Sequence, residues 1–211
     1  MGILVTDFDG TLTRFDFFDL VRRRWPLPPD RDPWERYVAG KTTHFEALAE
    51  IFRGIRASES EVEELIAEME FDPLAGEAIR RLTSRGWEVV IASAGCDWYI
   101  RRILARAGIA VTVHANPGVF DPARGLMMKL PLTSPYFDSG TGIDKLGIVE
   151  AALAETRSVA FAGDGRPDWE PALRVAPERR FARGWLAEAL AERGEGYHRL
   201  ETWADLADRL S

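Results

Sequence analysis

Cysteine occurs once in the 211 residues, at Cys96, which excludes an internal disulfide and any thiolate metal cluster. Histidine occurs three times, at His44, His114 and His198, without the short spacing of a metal site, so each is expected to be a structural side chain and no zinc is assigned. No apolar run approaches the roughly 20 residues of a membrane-spanning helix. The start of the chain holds only the short stretch Ile3 to Val5 ahead of Asp7, so neither a membrane segment nor a secretory leader is expected, and a cytoplasmic location is. Basic charge is also scarce: 27 Lys and Arg stand against 34 Asp and Glu, a net charge of −7, which leaves no footprint for nucleic acid or an anionic membrane. Repeats, low-complexity tracts and Gly/Ser linkers are missing too, which argues against a second independent domain.

What is present is enough apolar material, 46% of the chain, for one core with a modest insertion. Ile3-Leu4-Val5-Thr6 is a short apolar run that empties into Asp7 and Gly10, as a buried parallel strand does. Residues 87–92 form a second such run, announced by Gly86 and followed by Ser93-Ala94-Gly95, and residues 158–162 form a third, ending in Gly163-Asp164-Gly165. Between them Ile100, Ile103, Leu104 and Ala107 recur at helical spacing, and residues 143–153 carry a similar stripe. The alternation predicts an α/β fold, an open, Rossmann-like parallel sheet.

The gap between the first two strands is too long for an ordinary crossover. Its helical patterns, residues 17–24, 44–55 and 62–69 behind a Ser58-x-x-Glu61 capping box, predict a small helical cap over residues 14–70, inserted in a core of residues 1–13 and 71–211. Leu27-Pro28-Pro29 and Asp32-Pro33 are expected to break it into pieces. Residues 202–210 predict a closing amphipathic helix.

The chemistry-bearing residues sit at the strand ends. Asp7-Phe8-Asp9-Gly10-Thr11 places two carboxylates two residues apart where an apolar strand stops. Ser93, with Ala94 and Gly95 behind it, offers a hydroxyl and free backbone N–H groups ahead of a helix, where anions bind well. Asp164 and Asp168 add two carboxylates at a third strand end, and Lys145 adds a cation that can offset phosphate charge. Each has a plain structural reading: an Asx turn, a helix N-cap, a solvated lysine. Their succession on consecutive strand ends favours a phosphoryl-transfer site.

The run Asp7-Phe8-Asp9-Gly10-Thr11-Leu12-Thr13, followed in order by Ser93, Lys145 and Gly163-Asp164 with Asp168, resembles the haloacid dehalogenase superfamily over nearly the whole chain. The resemblance implies Asp7 as nucleophile, Asp9 as general acid and base, and Ser93, Ala94 and Lys145 as phosphate holders. It further implies Mg²⁺ among Asp7, Asp9, Asp164 and Asp168. Members that cleave carbon–halogen bonds have no leaving oxygen to protonate, so Asp9 argues against a dehalogenase. A receiver-type phosphoacceptor, a signalling domain, would need neither the insertion nor D-x-D-G-T.

A closer resemblance is to the phosphoserine phosphatase branch, and within it to the 2-hydroxy-3-keto-5-methylthiopentenyl-1-phosphate phosphatases of methionine salvage. It is carried by residues 91–99, by Asn116, and by Phe181-Ala182-Arg183 ahead of His198. The expected reaction is Mg²⁺-dependent hydrolysis of a small phosphomonoester through an aspartyl-phosphate, by a monomer or homodimer. The methylthiopentenyl phosphate, phosphoserine and a broad range of small phosphates are the candidate substrates. Residues 164–168 read Asp-Gly-Arg-Pro-Asp where those relatives have Asp-Ser-x-x-Asp. Phe15, Arg36 and Asn116 are the expected substrate contacts. Asp16, Lys41 and Glu46 are further polar candidates, and Phe17, Phe18, Trp98 and Tyr99 further aromatic ones.

Overall fold

The computed structural model of the protein describes residues 1–210. In chain order it runs β1 (Gly2–Thr6), α1 (Phe17–Arg24), α2 (Pro33–Val38), α3 (His44–Arg53), α4 (Glu59–Ala67), α5 (Ala75–Ser84), β2 (Trp87–Cys96), α6 (Asp97–Arg106) and β3 (Thr112–Asn116). Two short hairpins follow, β4 (Gly118–Asp121) with β5 (Gly125–Met128) and β6 (Phe137–Asp138) with β7 (Gly142–Ile143). The chain ends with α7 (Lys145–Glu155), β8 (Val159–Gly163), α8 (Trp169–Arg174), β9 (Arg180–Ala182), α9 (Gly184–Glu192), β10 (His198–Arg199) and α10 (Trp203–Arg209).

The main sheet is six-stranded and parallel, in the order β10-β9-β8-β1-β2-β3, with helices on both faces, as the α/β reading expects. β1 and β8 are buried along their whole length, which is why their sequences are continuous apolar runs rather than alternating ones. The chain leaves β1 toward β2 and later returns on its other side at β8, so the strand order reverses beside β1. Ligands in such sheets bind at the carboxyl ends of the strands around this reversal. The N–H of Asp7 continues the ladder by donating to the Ala162 carbonyl at 2.9 Å, so the first residue beyond β1 is fixed to β8.

One sequence expectation needs correction. β2 does not stop at Ala92 but continues to Cys96, with a register shift against β3 between the two, so Ser93-Ala94-Gly95 lie in an extended, bulged segment. The Asn116 side chain holds that segment open by donating to the Ala94 carbonyl at 2.8 Å. Asp32-Pro33 divides the insertion, as expected, by starting a helix: Asp32 caps α2 by accepting from the Trp34 N–H, and Pro33 takes the first helical position, where its missing N–H costs nothing.

The helices α1 to α4 lie over the carboxyl edge of the sheet. The chain enters and leaves them side by side, through the Thr13–Phe71 antiparallel bridge and the Arg14 N–H to Met69 carbonyl bond. α3 and α4 each begin with a complete capping box, Thr43 with Glu46 and Ser58 with Glu61. The apolar faces of α1, α3 and α4, including Phe17, Leu48, Phe52 and Leu65, join Leu4, Phe8 and Ile91 in one continuous cluster, so the insertion shares its core with the sheet. At the far end of the chain, the buried Trp203 of α10 donates its indole N–H to the Thr11 carbonyl at 3.1 Å and braces the turn after β1.

Candidate active site

Asp7, Asp9, Ser93, Ala94, Lys145 and Asp164 line one cavity of about 310 Å³ between the strand ends and the inserted helices. Lys145 is its cationic centre. It is the first residue of α7, a helix start that disfavours positive charge, yet it is buried and its ammonium lies 2.9 Å from Asp7 and 2.7 Å from Asp168. Asp168 is fully buried. One of its oxygens accepts from Lys145, and the other from the N–H groups of Asp164 at 3.0 Å and Gly165 at 2.9 Å.

Asp9 faces the other way. Its carboxylate accepts from the Tyr99 hydroxyl at 2.8 Å, the Phe17 N–H at 3.2 Å and, more weakly, the Ser93 hydroxyl at 3.5 Å. Gly95 makes this convergence feasible, since a Cβ there would stand 2.0 Å from the Tyr99 oxygen and 2.8 Å from Asp9. Ser93 in turn accepts from the Gly95 N–H at 3.0 Å.

Oxygens of Asp7, Asp164 and Asp168 lie within 4.8 Å of one another, an all-oxygen set of the kind that suits a hard divalent cation. Asp164 receives the Thr11 hydroxyl at 3.2 Å and presses against Gly10, where a Cβ would come within 2.2 Å of its second oxygen; glycine is required there both for room and for its φ of +67°. Since both oxygens of Asp168 are engaged by Lys145 and backbone N–H groups, Asp7 and Asp164 are the carboxylates best free to hold a cation. Asp9 does not join them. Its carboxylate lies outside this cluster, accepting from Tyr99 and from Phe17 at the start of the helical insertion.

Burial is the main force on these acids. It pushes Asp7 up to about 8, with the Asp168 carboxylate adding and the Lys145 ammonium opposing. It also raises Asp9, against the hydrogen bonds from Tyr99 and Phe17, and holds Asp16 and Asp164 well above the usual carboxylate range. One buried ammonium cannot keep so many crowded carboxylates ionised, and a bound divalent cation would favour their charged forms, so the donor set and its electrostatics both fit one.

The wall opposite the floor is aromatic. Phe18, Trp34, Tyr37, His44, Leu48 and Phe52 from α1 to α3 face the cavity, with Asp16 beside them and Arg166 and Trp185 on the sheet side. Of the expected substrate contacts, none is in this wall. Phe15 lies outside it under the Arg14 and Arg23 guanidinium groups, and Arg36 is exposed and pairs with Glu50 at 3.1 Å. Asn116 is fully buried and ties Ala94 to Thr141, a brace rather than a contact surface. Glu46 serves the α3 capping box, Phe17 is core, and Trp98 carries Arg102 on its face.

Asp16, Phe18 and Tyr99 do reach the cavity, and so, against expectation, does His44. Cys96 is buried, and burial pushes its thiol up to about 12, which removes it as a nucleophile.

The model of the haloacid dehalogenase-like hydrolases matches residues 4–172, which takes in the three strand ends and Lys145. The chain belongs to the haloacid dehalogenase-like hydrolase family. Among curated members it is 24% identical over 193 residues to a 2-hydroxy-3-keto-5-methylthiopentenyl-1-phosphate phosphatase of Brevibacillus brevis, covering 90% of this chain and 86% of that one. It is 28% identical over 124 residues to a phosphoserine phosphatase of Idiomarina loihiensis, a match that spans 57% of this chain and 56% of that one. A solved complex of phosphoserine phosphatase with bound substrate superposes with a TM-score of 0.65 at 18% identity, over 95% of this chain and 93% of the other, and shares the fold. In this hydrolase, Asp7 through Thr13, Ser93, Lys145 and Asp164 with Asp168 stand together on the carboxyl edge of the family's sheet. No helix among the described residues is long and apolar enough to cross a membrane.

Proposed function

We propose that the protein hydrolyses a small phosphomonoester, with Mg²⁺, through an aspartyl-phosphate formed on Asp7. It is a phosphatase of the haloacid dehalogenase-like family. The observation that carries the reaction assigned to it is the lysine at the α7 start, held between Asp7 and Asp168 with Asp9 and Tyr99 across the same floor. When bound, the cation would be held by Asp7 and Asp164 with Asp168 behind them, and would neutralise phosphoryl oxygens so that one anion can approach another.

In the first half-reaction an Asp7 oxygen attacks phosphorus, the bond to the ester oxygen breaks, and that oxygen takes a proton from Asp9. In the second, water attacks the aspartyl-phosphate, gives its proton to Asp9, and the bond between phosphorus and Asp7 breaks to release inorganic phosphate. Burial favours the protonated Asp9 that the first half needs, while Tyr99 fixes the direction of its carboxyl. Lys145 and the Ser93 to Gly95 segment face the phosphoryl oxygens. Residues 14–70 act as a cap on the core of residues 1–13 and 71–211, hinged where Thr13 and Phe71 pair, and closure keeps bulk water from the intermediate.

For the substrate, the aromatic wall favours the methylthiopentenyl phosphate of methionine salvage, whose leaving group is uncharged and ends in an apolar methylthio chain. Phosphoserine is the second reading, supported by Asp16 and Arg166 in the same cavity, one charge for an ammonium and one for a carboxylate.

Phosphate release from both esters and from glycerol phosphate, before and after chelation, tests this function. Release should disappear with chelator and return with added Mg²⁺; release indifferent to chelation would remove the cation from the mechanism. Tyr99→Phe should lower kcat about tenfold, the worth of one hydrogen bond to a charged group. Because that bond lowers the Asp9 pKa, its loss should also move the alkaline limb of the kcat profile to higher pH. An unmoved limb would show that Tyr99 does not act through Asp9.

A further inference from the structure

The chemistry at Asp7 makes no use of His44, which occupies the aromatic wall. His44 opens α3, and its position is fixed twice over: by the Thr43 and Glu46 capping box, and by the next residue, Phe45, whose N–H donates to the Gly140 carbonyl at 2.8 Å. Its ring meets Trp34 at 5.7 Å and Tyr37 at 5.2 Å, both edge to face, and Phe18 stacks on Trp34 at 4.2 Å. The residue is 9% exposed, and its Nδ1 is buried with no hydrogen-bond partner among the described residues. Burial pushes the imidazole down to about 4, so at neutral pH it is uncharged and presents one N–H and one lone pair.

A purely structural histidine in a core is normally satisfied by its neighbours, because a buried polar atom without a partner destabilises the protein. Trp34, Tyr37 and Phe18 supply ring surfaces but no partner for this nitrogen. With the phosphoryl group on the floor beside Lys145, the leaving group of a bound ester extends toward this wall. The cavity, about 310 Å³, has room for one ring-sized segment there.

We propose that His44 is a specificity-determining residue: it hydrogen-bonds a hydroxyl or carbonyl oxygen on the leaving group, whose flat, unsaturated segment lies against Trp34, Tyr37 and Phe18. The proposal rests on the phosphatase reading only for the direction in which the ligand lies. The ring faces accept a planar π-system by offset stacking, and the imidazole sorts planar leaving groups by whether they carry an oxygen for it.

Benzyl phosphate and its 3- and 4-hydroxy derivatives test this, since they differ only in the oxygen offered to His44. In the wild type, kcat/KM for the better hydroxybenzyl ester should exceed that for benzyl phosphate at least about tenfold. The ratio should fall to about one in His44→Phe, which keeps an aromatic ring, and be partly restored in His44→Gln, which restores hydrogen-bonding atoms. Trp34→Leu should raise KM for all three esters, while Arg36→Gln, on the exposed side of α2, should leave the ratio unchanged. Equal rates for hydroxylated and plain esters, with no change in His44→Phe, would overturn the proposal and leave the phosphatase reading intact. Calorimetric binding of the same esters to Asp7→Asn gives the ratio without turnover. Preference for the hydroxylated ester there, with no hydrolysis by wild type, would uphold the role of His44 and overturn the phosphatase reading. No preference there would overturn the role of His44.

Discussion

Asp7→Asn should lower phosphate release at least about 10⁴-fold, as loss of a covalent nucleophile does, while the protein stays folded and resists urea at least as well as the wild type. The amide is no nucleophile toward phosphorus, and neither Asp9, turned to Tyr99, nor Asp168, committed to Lys145, is placed to replace it. Stability should not suffer because the native carboxylate sits in an unfavourable place. Burial and Asp168 raise its pKa above the ordinary 3.8, so in metal-free protein ionised Asp7 weakens folding increasingly as pH rises from that value to about 8. The amide removes this pH dependence, and Lys145 keeps Asp168 as its partner. An Asp7→Asn protein that turns over at a substantial fraction of the wild-type rate would exclude Asp7 as the nucleophile.

Asp168→Ala should do the opposite: stability itself should fall, by about 3–5 kcal/mol, the range for breaking a buried ion pair by removing one partner. Asp168 is completely buried and receives three donors, the Lys145 ammonium and the N–H groups of Asp164 and Gly165. Alanine leaves all three without it. The turn that carries Asp164 loosens, Lys145 is left to Asp7 alone, and turnover should be lost together with the structure of the floor. Asp168→Asn keeps an acceptor for some of these donors and should lie between the two. Urea unfolding of both variants checks this, and a loss below about 1 kcal/mol for Asp168→Ala would show that Asp168 is not the brace of the site.

These two aspartates were legible in the sequence for a physical reason. Asp7 directly follows an apolar run that reads as a buried strand, with Gly10 signalling the turn, and Asp168 lies in the turn that Gly163 and Gly165 open at the end of another such run. Ser93 and Lys145 were legible in the same way, one behind a strand and one at the head of a helical stripe. The direction of a side chain was not. The Asp9 carboxylate accepts from the Tyr99 hydroxyl, brought close because Gly95 has no Cβ, and lies outside the cluster of Asp7, Asp164 and Asp168.

The aromatic wall was harder to read still. Its residues come from three separate helices, one of which hid behind Asp32-Pro33, a pair that divides the insertion and also starts a helix, with the proline at the first helical position. Phe15 and Phe18 are three residues apart and equally aromatic, yet only Phe18 faces the cavity, because α1 begins between them. Asn116, a polar residue at a strand end, carries the same signal as a binding residue and is instead the brace that holds Ser93 and Ala94 in place.

Acid-quenching the enzyme during turnover of a good phosphomonoester in Mg²⁺, and locating the phosphoryl group by peptide mass spectrometry, tests the central claim most directly. Covalent phosphate on Asp7, absent from Asp7→Asn and discharged when substrate is exhausted, is the predicted result. Phosphate on another residue, or steady turnover with Asp7 never modified at any quench time, would contradict it.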